Sequence, residues 1–170
     1  MAEFRINISN LSEGIHDYIF ESEAQTIGLG PEYTGPIRVQ ASLEKGRRQM
    51  LLRVSASAKA GFICDRCLDP FTKDLKANYI IVYAPGDRSM TGVQNESREI
   101  QILTPDMNFI DLDEDVRQYL VLDVPQKLLC SDECNGICPQ CGTRKITAHC
   151  HCTTEEIGTR WESLKKLSGN

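Results

Sequence analysis

Eight cysteines are the residues of this chain best suited to chemistry. Six of them fall in one stretch, "CSDECNGICPQCGTRKITAHCHC", from Cys130 to Cys152, while Cys64 and Cys67 stand far upstream in "CDRC". The six form the pairs Cys130-x3-Cys134, Cys138-x2-Cys141 and Cys150-x-Cys152. "CPQCG" has the form of a zinc knuckle, two thiolates on a tight turn, with Gly142 able to take the positive φ that turns backbone amides toward sulfur. In "CHC" an extended backbone puts Cys150 and Cys152 on one face, because strand side chains repeat every two residues. Four thiolates at about 2.3 Å from one ion satisfy tetrahedral Zn2+. A single C-x-x-C says little; four cysteine pairs point to metal.

Eight sulfurs allow two four-cysteine sites. The locally closed set is Cys138, Cys141, Cys150 and Cys152, which leaves Cys64, Cys67, Cys130 and Cys134 for the other. The distant pair would then clip the cysteine-rich tail onto the region around residue 64. The spacing leaves alternatives open: Cys150 and Cys152 could serve different ions, or His149 or His151 could replace a cysteine. An iron–sulfur cluster also takes four cysteines, but separated C-x2–3-C pairs are commoner as zinc sites. A dithiol redox role goes with a βαβ unit, whereas the flanks here read as antiparallel strands. A catalytic zinc keeps one position open for water, and an all-cysteine shell closes it. His16 is the only histidine outside the cluster. Neither a nucleophilic triad, nor carboxylates paired for acid–base work, nor a glycine-rich phosphate loop is found. The expectation is structural Zn2+, one or two ions, in a protein that is not an enzyme and takes no small-molecule substrate.

The elements that must position these sulfurs follow from hydrophobic periodicity. "EFRINI" at 3–8 alternates as a half-buried strand does. "IRVQASLE" at 37–44 does the same, and "KGRRQ" offers a turn into "MLLRVSASAKAGFIC", which predicts a hairpin running into the first cysteine pair. "KDLKANYIIVYAP" reads as a further strand with Tyr79, Ile81 and Tyr83 on one face, so Cys64 and Cys67 sit at the turn between two strands. Residues 85–99 are polar and aperiodic, and are expected to be a mobile loop. Asp111 with Glu114 makes a capping pair for a helix over 111–124, and Asp113 and Asp115 suit its positive end. Leu112, Val116, Leu120 and Val124 form its apolar stripe, and Pro125 stops it. A last helix is expected from Thr153, with Glu156 completing a second capping box and Ile157, Trp161 and Leu164 as its apolar side.

Charge is unevenly spread over the 170 residues: −5 in 1–35, +5 in 36–86, −6 in 87–125 and +1 in 126–170, a net −5. Arg38, Lys45, Arg47, Arg48 and Arg53 are the candidate nucleic-acid contacts, set against the plainer reading of a solvated sheet face. An acidic chain is a weak non-specific binder, since counterion release needs many exposed cations. Each Zn2+ held by four thiolates would carry a formal −2, which makes the tail a poor grip for phosphate. The opening "MAEFRINISN" has no basic segment followed by an apolar run, so no secretory signal is expected. Nor does any run of eighteen apolar residues occur to span a membrane. The expected compartment is the cytoplasm, where thiols stay reduced.

With "CDRCLDPF" after a strand, the acidic "IDLDEDVRQYLVLDVP", then "LCSDECNGICPQCG", "CHC" and a closing "WESLKKL", the chain resembles the YceD family over roughly residues 34–167. Members of that family are described as large ribosomal RNA subunit accumulation proteins. Two departures stand out. After "CPQCG" this chain reads "TRKI" where the family commonly has an "LN"-like pair. The last helix contains "IGTR" where an Asp-Pro-Arg-like opening is usual. Neither touches a cysteine. The resemblance implies a soluble protein of bacteria or plastids that supports accumulation or processing of precursor large-subunit RNA, with no known reaction. Its partner would be that RNA or a ribosomal protein; the rival readings are an adaptor docking a basic ribosomal protein without RNA contact, and a thiol or zinc redox switch. The expected fold is α+β: an antiparallel β-domain with an acidic capped helix over 1–125, then a cysteine-rich zinc-binding tail with a terminal helix over 126–170.

Overall fold

A computed structural model describes residues 3–86, 99–104, 107–138, 140–144 and 152. The strands are β1 (Arg5–Asn7), β2 (Gly14–Glu23), β3 (Pro36–Lys45), β4 (Met50–Ile63), β5 (Pro70–Pro85), β6 (Glu99–Leu103) and β7 (Phe109–Asp111). A 3-10 turn (Ala24–Ile27) follows β2, and one helix, α1 (Asp113–Leu122), follows β7. Five strands form a sheet in the order β2-β3-β4-β5-β6, and β1 pairs with β7 in a separate two-stranded ribbon.

The alternation read from the sequence decides which face is dry. Ile37, Val39, Ala41 and Leu43 of β3 point inward with Leu52, Val54 and Ala56 of β4 and Leu75, Tyr79, Ile81 and Tyr83 of β5, all buried. Register stacks them in rows, Leu43 against Leu52 against Ile81 and Ala41 against Val54 against Tyr79. The lid over this face is built from Phe4, Ile6 and Ile8, from Ala24 and Ile27, and from Ile110, Leu112, Val116 and Leu120. Tyr119 of α1 stacks on Tyr79 with ring centroids 4.1 Å apart. A one-faced sheet under a helical and ribbon layer is an α+β solution to burying a single apolar face.

Four details differ from the sequence expectation. The sheet is mixed, because β6 runs parallel to β5; parallel neighbours need a crossover, and the segment between them includes the expected loop, of which 87–98 lie outside the described residues. The helix begins at Asp113, since Asp111 belongs to β7 opposite Arg5. Leu112 supplies no side-chain cap, and the Asp111 carboxylate accepts the Asp113 amide at 3.3 Å. Glu114 bonds Arg117 and Gln118 rather than reaching back, while the Asp113 carboxylate accepts the amides of Glu3 and Phe4. The acid run thus ties the N-terminal ribbon to the helix start, which is a tertiary use of residues that the pattern assigns to a local cap. The apolar stripe itself is present, with Leu112, Val116 and Leu120 fully buried and Val124 partly so. The expected terminal helix lies outside the described residues.

Candidate metal centre

β4 and β5 are the longest strands among the described residues, and near the tip of their hairpin Phe62 faces Phe71, rings 6.1 Å apart, where the main core gives way to a separate buried cluster of cysteines. Cys64 and Cys67 stand on this tip. The turn is held by Leu68 N–H to the Cys64 carbonyl (2.9 Å) and Cys64 N–H to the Asp69 carbonyl (2.9 Å). "CPQCG" repeats the arrangement: Gly142 N–H donates to the Cys138 carbonyl (2.9 Å) and Cys138 N–H to the Thr143 carbonyl (2.8 Å). Gly142 has φ +70 and Leu68 has φ +60 at the same place in the turn. Both are knuckles, and one adopts the left-handed conformation without glycine.

Two groups of sulfurs result. The Sγ atoms of Cys64, Cys67, Cys130 and Cys134 lie within 4.8 Å of one another, as do those of Cys138, Cys141 and Cys152. Cys150 lies outside the described residues, as do His149 and His151. Within the first group, Cys64 Sγ is 3.8 Å from Cys134 Sγ and Cys67 Sγ is 3.7 Å from Cys130 Sγ. Those separations are far too long for a disulfide. Four thiolates at about 2.3 Å from one ion stand roughly 3.8 Å apart, the edge of the tetrahedron, so the donor set fits a single four-coordinate ion. A multi-iron cluster would interpose its own iron and sulfide atoms between these thiolates.

The electrostatics of the first group match. Burial works against the Cys64 thiolate, but the amides of Cys130, Cys67 and Arg66 aim at its sulfur and bring the thiol down to about 6. The Asp69 amide favours the Cys67 anion, yet burial and the neighbouring sulfurs outweigh it and push that thiol up to about 12. Burial raises Cys130 as well. In the second group the Thr143 hydroxyl, 3.2 Å away, and amide lower Cys141, while the Cys141 sulfur drives Cys152 up to about 12. Adjacent thiols cannot all ionise in each other's presence. A bound divalent cation removes that conflict by making every sulfur a ligand anion.

The tail reaches the hairpin through residues that a cysteine pattern does not flag. Asp65 N–H donates to the Leu128 carbonyl (2.8 Å), and its carboxylate accepts the Leu128 amide (2.7 Å). The Arg66 guanidinium donates to the carbonyls of Cys134 (2.9 Å) and Asp132 (3.4 Å). Gly136 passes so close that a Cβ there would meet the Arg66 carbonyl oxygen at 2.8 Å. Arg144 pairs with Asp69. The polar letters inside "CDRCLD" are the one sequence signal that could have singled these residues out.

The candidate nucleic-acid residues are placed apart from the sulfurs. Arg38 and Arg53 stand on the outer face of the sheet, paired with Glu21 (3.2 Å) and Glu44 (3.3 Å). At the β3–β4 turn Arg47 faces Glu13 (3.6 Å) and Lys45 donates to the Leu11 carbonyl (2.7 Å). Arg48 has no carboxylate partner among the described residues. No helix among those residues is long and apolar enough to cross a membrane.

No solved structure matches the chain. Proteins described only as uncharacterised, from Mycobacterium bovis and from two strains of Mycobacterium tuberculosis, are each 29% identical over 106 residues. The match covers 62% of this chain and 49% of theirs, so the chain spans about half the length of the curated relatives it matches. The family model described as large ribosomal RNA subunit accumulation protein YceD matches residues 52–168, from the start of β4 through both cysteine groups. With that stretch covering most of the sequence, the chain belongs to the YceD family.

Proposed function

We propose that this protein is a non-enzymatic assembly factor of the cytoplasm that supports accumulation of large-subunit ribosomal RNA, with two structural Zn2+ ions holding its tail to its sheet. Cys64, Cys67, Cys130 and Cys134 would hold one ion. Cys138, Cys141 and Cys152 would hold the other with Cys150. The observation that carries the metal reading is the mutual approach of four sulfurs contributed by two distant parts of the chain. The ribosomal reading is supported by the description of the family.

Depletion of the protein in its own cell should lower mature large-subunit RNA relative to small-subunit RNA, read by quantitative northern analysis, and re-expression should restore it. An unchanged ratio would remove the ribosomal reading. Native mass spectrometry of the purified chain should give a mass increment of two zinc ions; none, or a cluster mass, would remove the metal reading.

Contact through a ribosomal protein, with no RNA touched, is favoured by one specific observation. Arg38, Arg47 and Arg53 each already face a carboxylate. Exposed pairs of this kind are individually weak, yet they leave little net positive field for phosphate. Arg47→Glu with Arg48→Glu decides between the two contacts. Binding of a large-subunit RNA fragment that falls steeply with salt and collapses in the double variant would assign the contact to RNA.

A further inference from the structure

The strand with the most unused binding capacity is β2. It lies at the edge of the sheet, and among the described residues its backbone pairs only with β3. The other edge is the five-residue β6, whereas β2 offers ten residues in unbroken register, Gly14 opposite Lys45 through Glu23 opposite Pro36. Natural edges are usually protected by charged side chains, lysine above all, or by proline, a bulge or brevity. "GIHDYIFESE" has no lysine, proline or bulge and is not short, and the charges it carries are all carboxylates, which repel a second copy but not a cationic strand. Ile15 and Ile19 are also left 65% and 73% exposed on its outer face. A groove of about 580 Å3 runs beside Asp17 and Ile19 across the sheet, lined by Ser42, Ser55 and Ile80 and by Arg53, whose charge is answered by Glu44.

Charge says what fits there. The outer face of this edge reads Glu13, Ile15, Asp17, Ile19, Glu21 and Glu23, an alternation of carboxylate and aliphatic side chains with no lysine or arginine. Arg38 and Arg47 answer Glu21 and Glu13 from one side only, and Asp17 and Glu23 have no cationic partner among the described residues. RNA phosphates would be repelled along this seam. A second copy of the chain would bring the same carboxylates to it. We propose that β2 takes an extended, basic segment of a protein partner as a sixth strand. Main-chain hydrogen bonds would supply the pairing, lysine or arginine on the outer face of the added strand would meet the carboxylates, and aliphatic residues on its other face would extend the row of Tyr18 and Phe20. This deepens the assembly-factor reading and rests on it only in identifying the partner as a ribosomal protein, since proteins that bind ribosomal RNA carry such basic segments.

The test uses the purified full chain and a fluorescent synthetic peptide of alternating lysine and valine, about ten residues long to match a strand of this size. Anisotropy should show binding that weakens with salt. N-methylation along the one peptide edge that pairs should weaken it by about tenfold or more, as should Asp17→Lys with Ile19→Lys, an effect of about 1.4 kcal/mol per decade. Unchanged circular dichroism and metal content would show that the double variant is folded. Equal binding of a glutamate–valine peptide, indifference to N-methylation of either edge, or no binding at all overturns the proposal. So does a dimer that the double variant dissolves, which would give the edge to a second copy, or an RNA fragment that competes for it. Any such failure leaves the RNA-accumulation reading standing, because that reading is tested by RNA levels in cells.

Discussion

Along β4 the means of cohesion change within a few residues. From Leu52 to Ala60 every second side chain is buried against aliphatic and aromatic carbon, in a core that also takes in Phe4, Ile6, Tyr33 and Leu120. Past Ile63 the buried cluster among the described residues consists of Cys64, Cys67 and Cys134, with Phe71 and Leu129 packed against it. The first region is stabilised by apolar area removed from water, about 25 cal/mol per Å2. Among its described residues the second has little such area, and these segments meet through hydrogen bonds at Asp65 and Arg66 and through sulfur. Described residues this poor in buried carbon need another source of cohesion, as small metal-binding domains generally do. Order in the lobe should therefore track the ion, and order in the sheet should not.

The largest expected effect breaks that contrast directly. Cys134→Ser, or prolonged chelation, should abolish hydrogen-exchange protection at the amides of Cys64, Asp65, Leu128 and Ile137 while β3 to β5 keep theirs. Structural zinc supplies about 10–16 kcal/mol in small zinc-binding peptides, so little of the lobe should persist without it. A chelated chain whose lobe amides stay protected would end the comparison. Leu120→Ala should do the reverse. It removes a fully buried side chain from the lid and should cost about 2–5 kcal/mol in denaturant unfolding of the sheet, with zinc content unchanged.

The two knuckles sharpen the contrast further. Leu68 holds φ +60 at 60% exposure, so Leu68→Gly loses little burial and relieves a left-handed strain. It should slow metal loss to a chelator and stabilise the lobe by about 1 kcal/mol or less, because glycine also loses more freedom on folding. Gly142→Ala imposes that strain on the other knuckle at φ +70 and should speed metal loss from its own site by a comparable amount. Equal release from both variants would show that turn strain has no bearing on retention.

The smallest effect belongs to the sheet side. Hydrogen bonds from Arg117, then from Gln118, hold the Glu114 carboxyl down at about 2. A depressed carboxyl contributes stability that is fully present above its unfolded value, about 4.3, and is lost as pH falls through the folded one. Both partners are exposed, so the contribution is slight. Carbon-detected NMR titration of Glu114 should show a midpoint well below 4.3 that Arg117→Ala returns toward it.

Much of the fold was legible because it depends on local alternation. β3, β4, β5 and the stripe Leu112, Val116, Leu120 follow from period two and period 3.6 patterns that place aliphatic side chains on one face. β2 was missed because Ile15, Tyr18, Ile19 and Phe20 supply apolar residues to both of its faces, which erases the alternation. The capping pair was read only in part: the Asp111 carboxylate accepts the Asp113 amide at 3.3 Å, but Asp111 and Asp113 also bind Arg5, Glu3 and Phe4, more than a hundred residues away, and Glu114 does not reach back. Leu68 gave no sign of its conformation, since a left-handed leucine looks like any other until the turn closes around it.

Thiol spacing alone pointed to cysteine pairs that could hold a metal ion and to how the knuckles are built, because a knuckle is a local object of a few residues. Periodicity alone established that one sheet face is dry. Which sulfurs meet is a property of the folded chain: Cys64 and Cys134 approach to 3.8 Å only because a long hairpin carries the first pair beyond the core and Asp65 and Arg66 bind the returning backbone. The same is true of the edge at β2, since whether a strand lies inside a sheet or beside open solvent depends on neighbours that no local pattern contains.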